Sequence, residues 1–269
     1  MMNTLKDNSN IANLDAYSPS RIAQLVDKVG VTKAKQPKLK TVVLGVLAGV
    51  FIAFGAMLFT LIITESNLGF GVTKLLGGIG FSLGLILVVV AGAELFTGNN
   101  LIIMAWANGE VQTRAILVNW AIVYVANFIG AVLAAYAMYW SGLLEESNGI
   151  IKSVALQIAH SKIATSTSEL FIRGILCNTL VCLAVWLCMA AHDVASKAVA
   201  IIFPISTFVA LGFEHSIANM YFIPLGMIIS SGDITMYDLF HNLLPVTLGN
   251  IIGGSVFVAL IYWIVYIRD

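Results

Sequence analysis

The chain predicts an all-α polytopic membrane protein, with six transmembrane helices in an inverted three-plus-three repeat whose second and fifth helices are interrupted. Three observations lead there. Hydrophobic residues make up 59% of the 269 and charged residues 10%, with a mean hydropathy of +0.93, against about 45–50% apolar and 25% charged in soluble domains. Apolar stretches long enough to cross a hydrocarbon core of roughly 30 Å recur along the chain. Paired motifs also recur in the same order in its two halves.

The N-terminal segment, 1–40, is polar and holds Lys6, Arg21, Lys28, Lys33, Lys35, Lys38 and Lys40, half of the 14 basic residues. That is not the pattern of a cleavable signal peptide. By the positive-inside rule it is expected on the cytoplasmic face, and an even number of spans returns the C-terminus with Arg268 to the same side. Within it, Ser18 to Gly30 reads as a short helix. Ser18 or Ser20 caps it, Ile22, Leu25, Val26 and Val29 share a face, and Gly30 ends it. This helix is expected to lie on the cytoplasmic surface, as packing or as part of a gate.

The six-span domain is expected over 41–267. Windows of crossing length fall near 41–64, 73–108, 115–140, 170–191, 197–230 and 243–266. The second and fifth are too long for one plain span, and polar residues interrupt them. Cys177, Cys182 and Cys188 all fall in the fourth span, where they read as small buried hydrophobes; their spacing suits neither a disulfide framework nor a zinc site.

The repeat is weak but ordered. Gly92-x-Glu94-x-x-x-Gly98-Asn99 has a partner in Gly212-x-Glu214-x-x-x-Ala218-Asn219. Asn127-x-x-Gly130 followed by Tyr139-Trp140 has a partner in Asn250-x-x-Gly253 followed by Tyr262-Trp263. Gly45 and Gly174 form a poorer pair. Three spans per half is an odd number, so the halves cross in opposite senses, and such an inverted repeat places a site at mid-membrane where the broken helices meet. Gly77, Gly78, Gly80 and Gly84, and Gly249, Gly253 and Gly254, read as close helix packing.

An ionisable group at bilayer depth costs at least about 2.5–3.5 kcal/mol, so it needs a partner, a cavity or a function. Three stand out: Glu94, Glu214 and His215. The glutamates read mainly as staples of the two breaks, accepting from freed backbone N–H groups, with direct participation in permeation as the other reading. An imidazole at His215 can donate a hydrogen bond or take up a proton near neutral pH, which suits a weak-acid anion. Asn219 and Asn178 are candidates to orient it or to add donors. Thr97 brings a hydroxyl to the other break, and Leu95 and Phe96 beside it are candidates to narrow a path.

No Gly-rich phosphate loop, metal-ligand cluster, Asn-Pro-Ala pair or Gly-x-Ser-x-Gly elbow is present in the sequence. No cofactor or metal is expected, no basic stripe suggests nucleic acid, and no enzyme is expected. A hydrolase using Ser216 or Thr97 with His215 is disfavoured because adjacent His215 and Ser216 point in different directions on a helix.

The stretches AGAELFTGNN (91–100), GGIGFSLGLIL (77–87), GFEHSIANM (212–220) and LCNTLVCLAVW (176–186) closely resemble the formate/nitrite transporter family, the first three above all, over about Arg21 to Arg268. The resemblance implies an aquaporin-like protomer, a homopentamer in the cytoplasmic membrane, and one substrate path through each protomer. It places the polar site at His215 with Asn219, with Asn178 close by and Thr97 on the loop of the second helix. Leu85, Leu95 and Phe96 match one apolar constriction, and Phe81, Val181 and Phe208 the other. Lys162 aligns with a lysine that attracts anions at a pore mouth. GGIGFSLGLIL and LVCLAVW look closest to the formate channel branch, so formate is the expected substrate among small monovalent anions, with nitrite or hydrosulfide as the alternative.

Overall fold

The structure, a computed structural model, describes residues 16–268. Lys6 and the rest of 1–15 lie outside the described residues. Every regular element described is helical.

Helix α1 spans Pro19–Ala34, with Ser18 as N-cap accepting from Arg21 N and proline in the first turn. Ile22, Ala23 and Val26 are buried, which accounts for the apolar face read from the sequence. Gly30 does not end the helix, which runs a further turn to Ala34. Instead Gly30 is where α1 approaches α4, and an added Cβ would stand 3.1 Å from Ala105 Cβ.

The crossings are α2 (Lys38–Ile63), α3 (Phe70–Ile86, extended by a wider turn through Gly92) with α4 (Ile102–Ala107), α5 (Thr113–Trp140), α7 (Thr167–Ala190), α8 (Val194–Ala210) with α9 (Ser216–Ile229), and α10 (Met236–Gly254), which a wider turn joins to α11 (Ile261–Tyr266). Five of these helices are long and apolar enough to cross a membrane by themselves, and α8 and α9 are each too short. The two segments that read as overlong are therefore two broken crossings. Helix α6 (Glu146–Ile163) links the halves, and its regular part begins after Ser147, Asn148 and Gly149, all at positive φ.

The sixth crossing starts at Met236, seven residues before the expected 243. A capping box of Thr235 and Asp238 starts it, ahead of the polar pair His241 and Asn242 that a hydropathy window rejects.

Both breaks follow a glycine in the left-handed region, Gly92 at φ +86° and Gly212 at φ +72°, a conformation that side chains other than glycine's resist. Close helix crossings hold the frame around them. A Cβ on Gly130 would overlap the Val46 carbonyl of α2, and one on Gly253 would overlap the Ile175 carbonyl of α7. These are equivalent positions in the two halves. Large apolar side chains remain exposed along α2, α3, α5, α8 and α10, including Leu61, Leu133, Phe203 and Leu244, as expected of surfaces facing lipid or another copy of the chain.

Candidate functional site: the two helix breaks

Each break is stapled by one asparagine from the last crossing of its own half. Asn127 of α5 donates from Nδ2 to Gly45 O (2.7 Å) and Glu94 O (2.9 Å), and its Oδ1 accepts from Phe96 N (2.9 Å). Asn250 of α10 donates to Gly174 O (2.8 Å) and Glu214 O (3.0 Å) and accepts from Ser216 N (2.9 Å). Broken helices free backbone groups that must find partners away from water, and one amide side chain satisfies two of them while tying the break to a carbonyl of the neighbouring unbroken helix. Gly45 and Gly174, the poorest match in the sequence repeat, are here true equivalents.

The glutamate side chains face a second duplicated cluster rather than backbone N–H groups. Asn99 Nδ2 donates to Glu94 Oε2 (2.7 Å) and to Asn119 Oδ1 (3.0 Å), and Asn119 Nδ2 to Lys33 O (3.3 Å). In the other half, Asn219 Nδ2 donates to Glu214 Oε2 (2.6 Å) and Asn242 Oδ1 (2.7 Å), and Asn242 Nδ2 to Lys162 O (3.0 Å). A lysine completes each cluster. Lys33 of α1 bridges Glu94 Oε1 (2.9 Å) and Asn99 Oδ1 (3.0 Å). Lys162 of α6 takes both oxygens of Glu214, at 3.2 and 3.0 Å, and Asn219 Oδ1 is left with no partner among the described residues. The repeat therefore has a fourth segment in each half beside the three crossings: α1 corresponds to α6, and Lys33 to Lys162.

His215 is the N-cap of α9, its Nδ1 accepting from Ala218 N at 3.1 Å. A ring nitrogen that accepts from a backbone N–H carries no proton, so the neutral ring holds its proton on Nε2 and donates it to Thr97 Oγ1 at 3.0 Å. This bond joins the two breaks across 118 residues of sequence. The backbone cap orients His215, and the two asparagines have other partners. Asn219 serves Glu214, while Asn178 Nδ2 donates to Asn250 O (2.6 Å) and Thr97 O (3.2 Å). Asn178 thereby fixes the loop that carries Thr97.

Two cavities flank this bond. On the α1 side, one of about 470 Å³ is lined by Lys33, Lys40, Leu85, Glu94, Leu95 and Asn99, among others. On the α6 side, one of about 240 Å³ is lined by Lys74, Phe81, Lys162, Arg173, Phe208 and His215, among others. Thr97 and Val181 are buried and line neither. Phe81 and Phe208 meet edge to face at 5.7 Å, and Phe208 stacks on the His215 ring at 6.0 Å. The Phe96 ring lies against Trp120 and Tyr124 of α5, away from the lining of both cavities.

Sequence reasoning missed Lys33, Lys74, Asn119 and Asn242. Lys33 was within reach, because the offset of 129 that relates Gly45 to Gly174 also relates Lys33 to Lys162. Asn119 and Asn242 share the offset of 123 that relates Asn127 to Asn250.

Known proteins place this architecture. The formate/nitrite transporter family model matches residues 20–264. The formate channel FocA of Escherichia coli (strain K12) is 40% identical, covering 95% of this chain and 96% of that one. An uncharacterized transporter of Bacillus subtilis, YrhG, is 42% identical over 92% and 93%. Among solved structures, a pentameric formate channel with formate bound superposes with a TM-score of 0.79 at 36% identity, covering 86% of this chain and 98% of that one. An ion channel of the same family superposes at 0.78 with 30% identity, over 92% and 98%. With a matched family model over nearly its whole length, relatives of this identity and coverage, and the same multi-pass helical fold, this chain belongs to the formate/nitrite transporter family, whose members are membrane transporters and channels rather than enzymes.

Proposed function

We propose that this protein conducts formate, and with it related small monovalent anions, across the cytoplasmic membrane, with one path through each protomer of a homopentamer and both termini in the cytoplasm. The observation that carries the reading is the pair of lysine-lined cavities on opposite sides of the buried Thr97–His215 bond. The formate channels among the relatives support the choice of anion, and the basic segment around α1 supports the orientation.

A bare anion entering the apolar zone of Leu85, Leu95, Phe81, Val181 and Phe208 meets a desolvation cost of several kcal/mol. The cavities lower it in two stages. Lysine charge concentrates the anion at each mouth, and His215 then offers its Nε2–H, exchanging the Thr97 hydroxyl for a carboxylate oxygen. Thr97 completes the contact from the opposite break, and a proton from water in the cavity, not the Nε2 proton that the neutral ring keeps, converts the bound anion to the neutral acid, which crosses the constrictions more easily. Glu94 and Glu214 hold the breaks and the lysines in place. Because Lys33 ties α1 to Glu94 and Asn99, undocking of α1 and movement of Leu95 to Asn99 gate the path with pH.

Purified protein in liposomes tests the reading through uptake of labelled formate from pH 5 to 8, with nitrite and hydrosulfide as competitors. Saturable formate flux is expected, with a pH profile that flattens in His215→Phe. A profile unchanged in that variant removes His215 from the mechanism, and a preference for nitrite or hydrosulfide reassigns the substrate within the same path.

A further inference from the structure

Three cations line the cavity on the α6 side, and they are not equivalent. Lys162 gives both oxygens of Glu214 a hydrogen bond and turns its remaining face to the Phe222 ring at 5.4 Å. Arg173 faces Glu169 at 3.6 Å. Lys74, at the start of the second turn of α3, has no ion-pair partner among the described residues. Its ammonium is held instead by two aromatic faces, 5.7 Å from the Phe59 centroid and 5.8 Å from that of Phe70, within the range of cation–π attraction. It is half-buried and close enough to Lys162 for the two charges to repel.

A charge whose field is cancelled by an adjacent carboxylate attracts little at a distance. A cation held only by ring quadrupoles keeps its full charge and its N–H donors for a ligand. We propose that Lys74, rather than Lys162, is the residue that captures the anion on the α6 side, taking a small monovalent carboxylate or an anion of similar size from solution and passing it inward to Phe81, Phe208 and His215. Phe59 and Phe70 are positioning residues that hold the ammonium over the cavity, and Lys162 belongs to the framework of the break. The proposal rests on the transport function proposed above.

The test uses full-length protein in liposomes of known sidedness, with labelled formate added from the α6 side or the α1 side at two ionic strengths. Lys74→Met keeps the aliphatic stem over the rings and removes the charge, and Lys74→Arg restores it. The expected result for Lys74→Met is about a fivefold rise in the half-saturation concentration for entry from the α6 side, the effect of one unit charge about 4 Å away in water. A shallower dependence on salt should accompany it. Entry from the α1 side should be unchanged, and Lys74→Arg should recover both properties. A purely structural role for Lys74 alters the salt dependence of neither variant. If wild-type liposomes carry no small anion, the transport reading fails and this proposal falls with it. If wild type carries formate and Lys74→Met keeps its half-saturation and salt dependence, the capture role alone is wrong.

Discussion

The most direct consequence of the duplicated clusters concerns the ion pair between Lys162 and Glu214. Both side chains are largely out of solvent, at 14% and 6% exposure, with Nζ 3.0 Å from Oε2 and 3.2 Å from Oε1. In Lys162→Met the Glu214 carboxylate keeps only the Asn219 amide as a side-chain donor. Removing one member of a buried pair costs about 3–5 kcal/mol, because the other charge stays buried without compensation. Glu214→Gln should cost a similar amount, since it strands the ammonium. The double variant Lys162→Met/Glu214→Gln leaves two neutral groups of nearly unchanged volume, so it should recover at least about 2 kcal/mol of the summed loss as coupling. The matching cycle at Lys33 and Glu94 should show the same sign with a smaller coupling, because Lys33 is 25% exposed and shares its ammonium with Asn99. Thermal unfolding of the detergent-solubilised protein, followed by loss of helical signal for the wild type, both singles and the double, reads the cycle. Additive losses at Lys162 and Glu214 would refute the assignment of this lysine to the framework and return it to the role of a free anion attractor.

Two further outcomes follow from positions elsewhere in the fold. Gly130→Ala should separate α2 from α5 and cost about 1–3 kcal/mol in thermal stability, since the added methyl meets the Val46 carbonyl, which cannot rotate away; Gly71→Ala, a helical position where nothing lies within 4 Å, is the control and should leave the midpoint unchanged or slightly raised. Asp27 of α1 lies outside the spans, its carboxyl raised above the usual carboxylate range by burial and then by Glu110, with the Asn108 amide donating to both acids at 3.3 Å. A raised folded value means that the native state binds the extra proton, so this contribution is largest in acid and falls as pH rises from about 3.8 through the folded value; Asp27→Asn should therefore unfold later than wild type at neutral pH, and the two midpoints should converge as pH is lowered toward 4.

Much of the fold was legible because a bilayer imposes a simple requirement, about 20 apolar residues per crossing, and because breaks at depth announce themselves through glycine, asparagine and glutamate. The windows at 41–64, 115–140 and 170–191 lie within three residues of α2, α5 and α7. Partner choice was less legible. Glu94 and Glu214 were expected to accept from backbone N–H groups, but asparagines 127 and 250 satisfy the freed backbone and the carboxylates turn to lysines. That exchange rests on the approach of α1 and α6 to the breaks, a long-range contact that periodicity does not encode. Gly30 shows the same limit, since a glycine that allows close approach and one that ends a helix look alike in a sequence.

The repeat itself separates what the two halves share from what each holds alone. With the offset of 120 that relates Glu94 to Glu214 and Asn99 to Asn219, Leu95 corresponds to His215 and Thr97 to Ile217. What the halves share, the asparagine staples and the lysine–glutamate–asparagine clusters, is what a broken helix needs in order to exist in a membrane at all. What they do not share is the pair that bonds across the centre, a histidine where the other half has leucine and a threonine where the other half has isoleucine. A symmetric arrangement would put either two apolar plugs or two imidazoles at mid-membrane. The first offers an anion no hydrogen bond, and the second binds it from both sides and slows its release. One donor facing one hydroxyl between two apolar walls gives a single weak contact at the point where hydration is lost. For the path proposed above, which must release its anion as readily as it accepts it, that asymmetry would be the feature on which conduction depends.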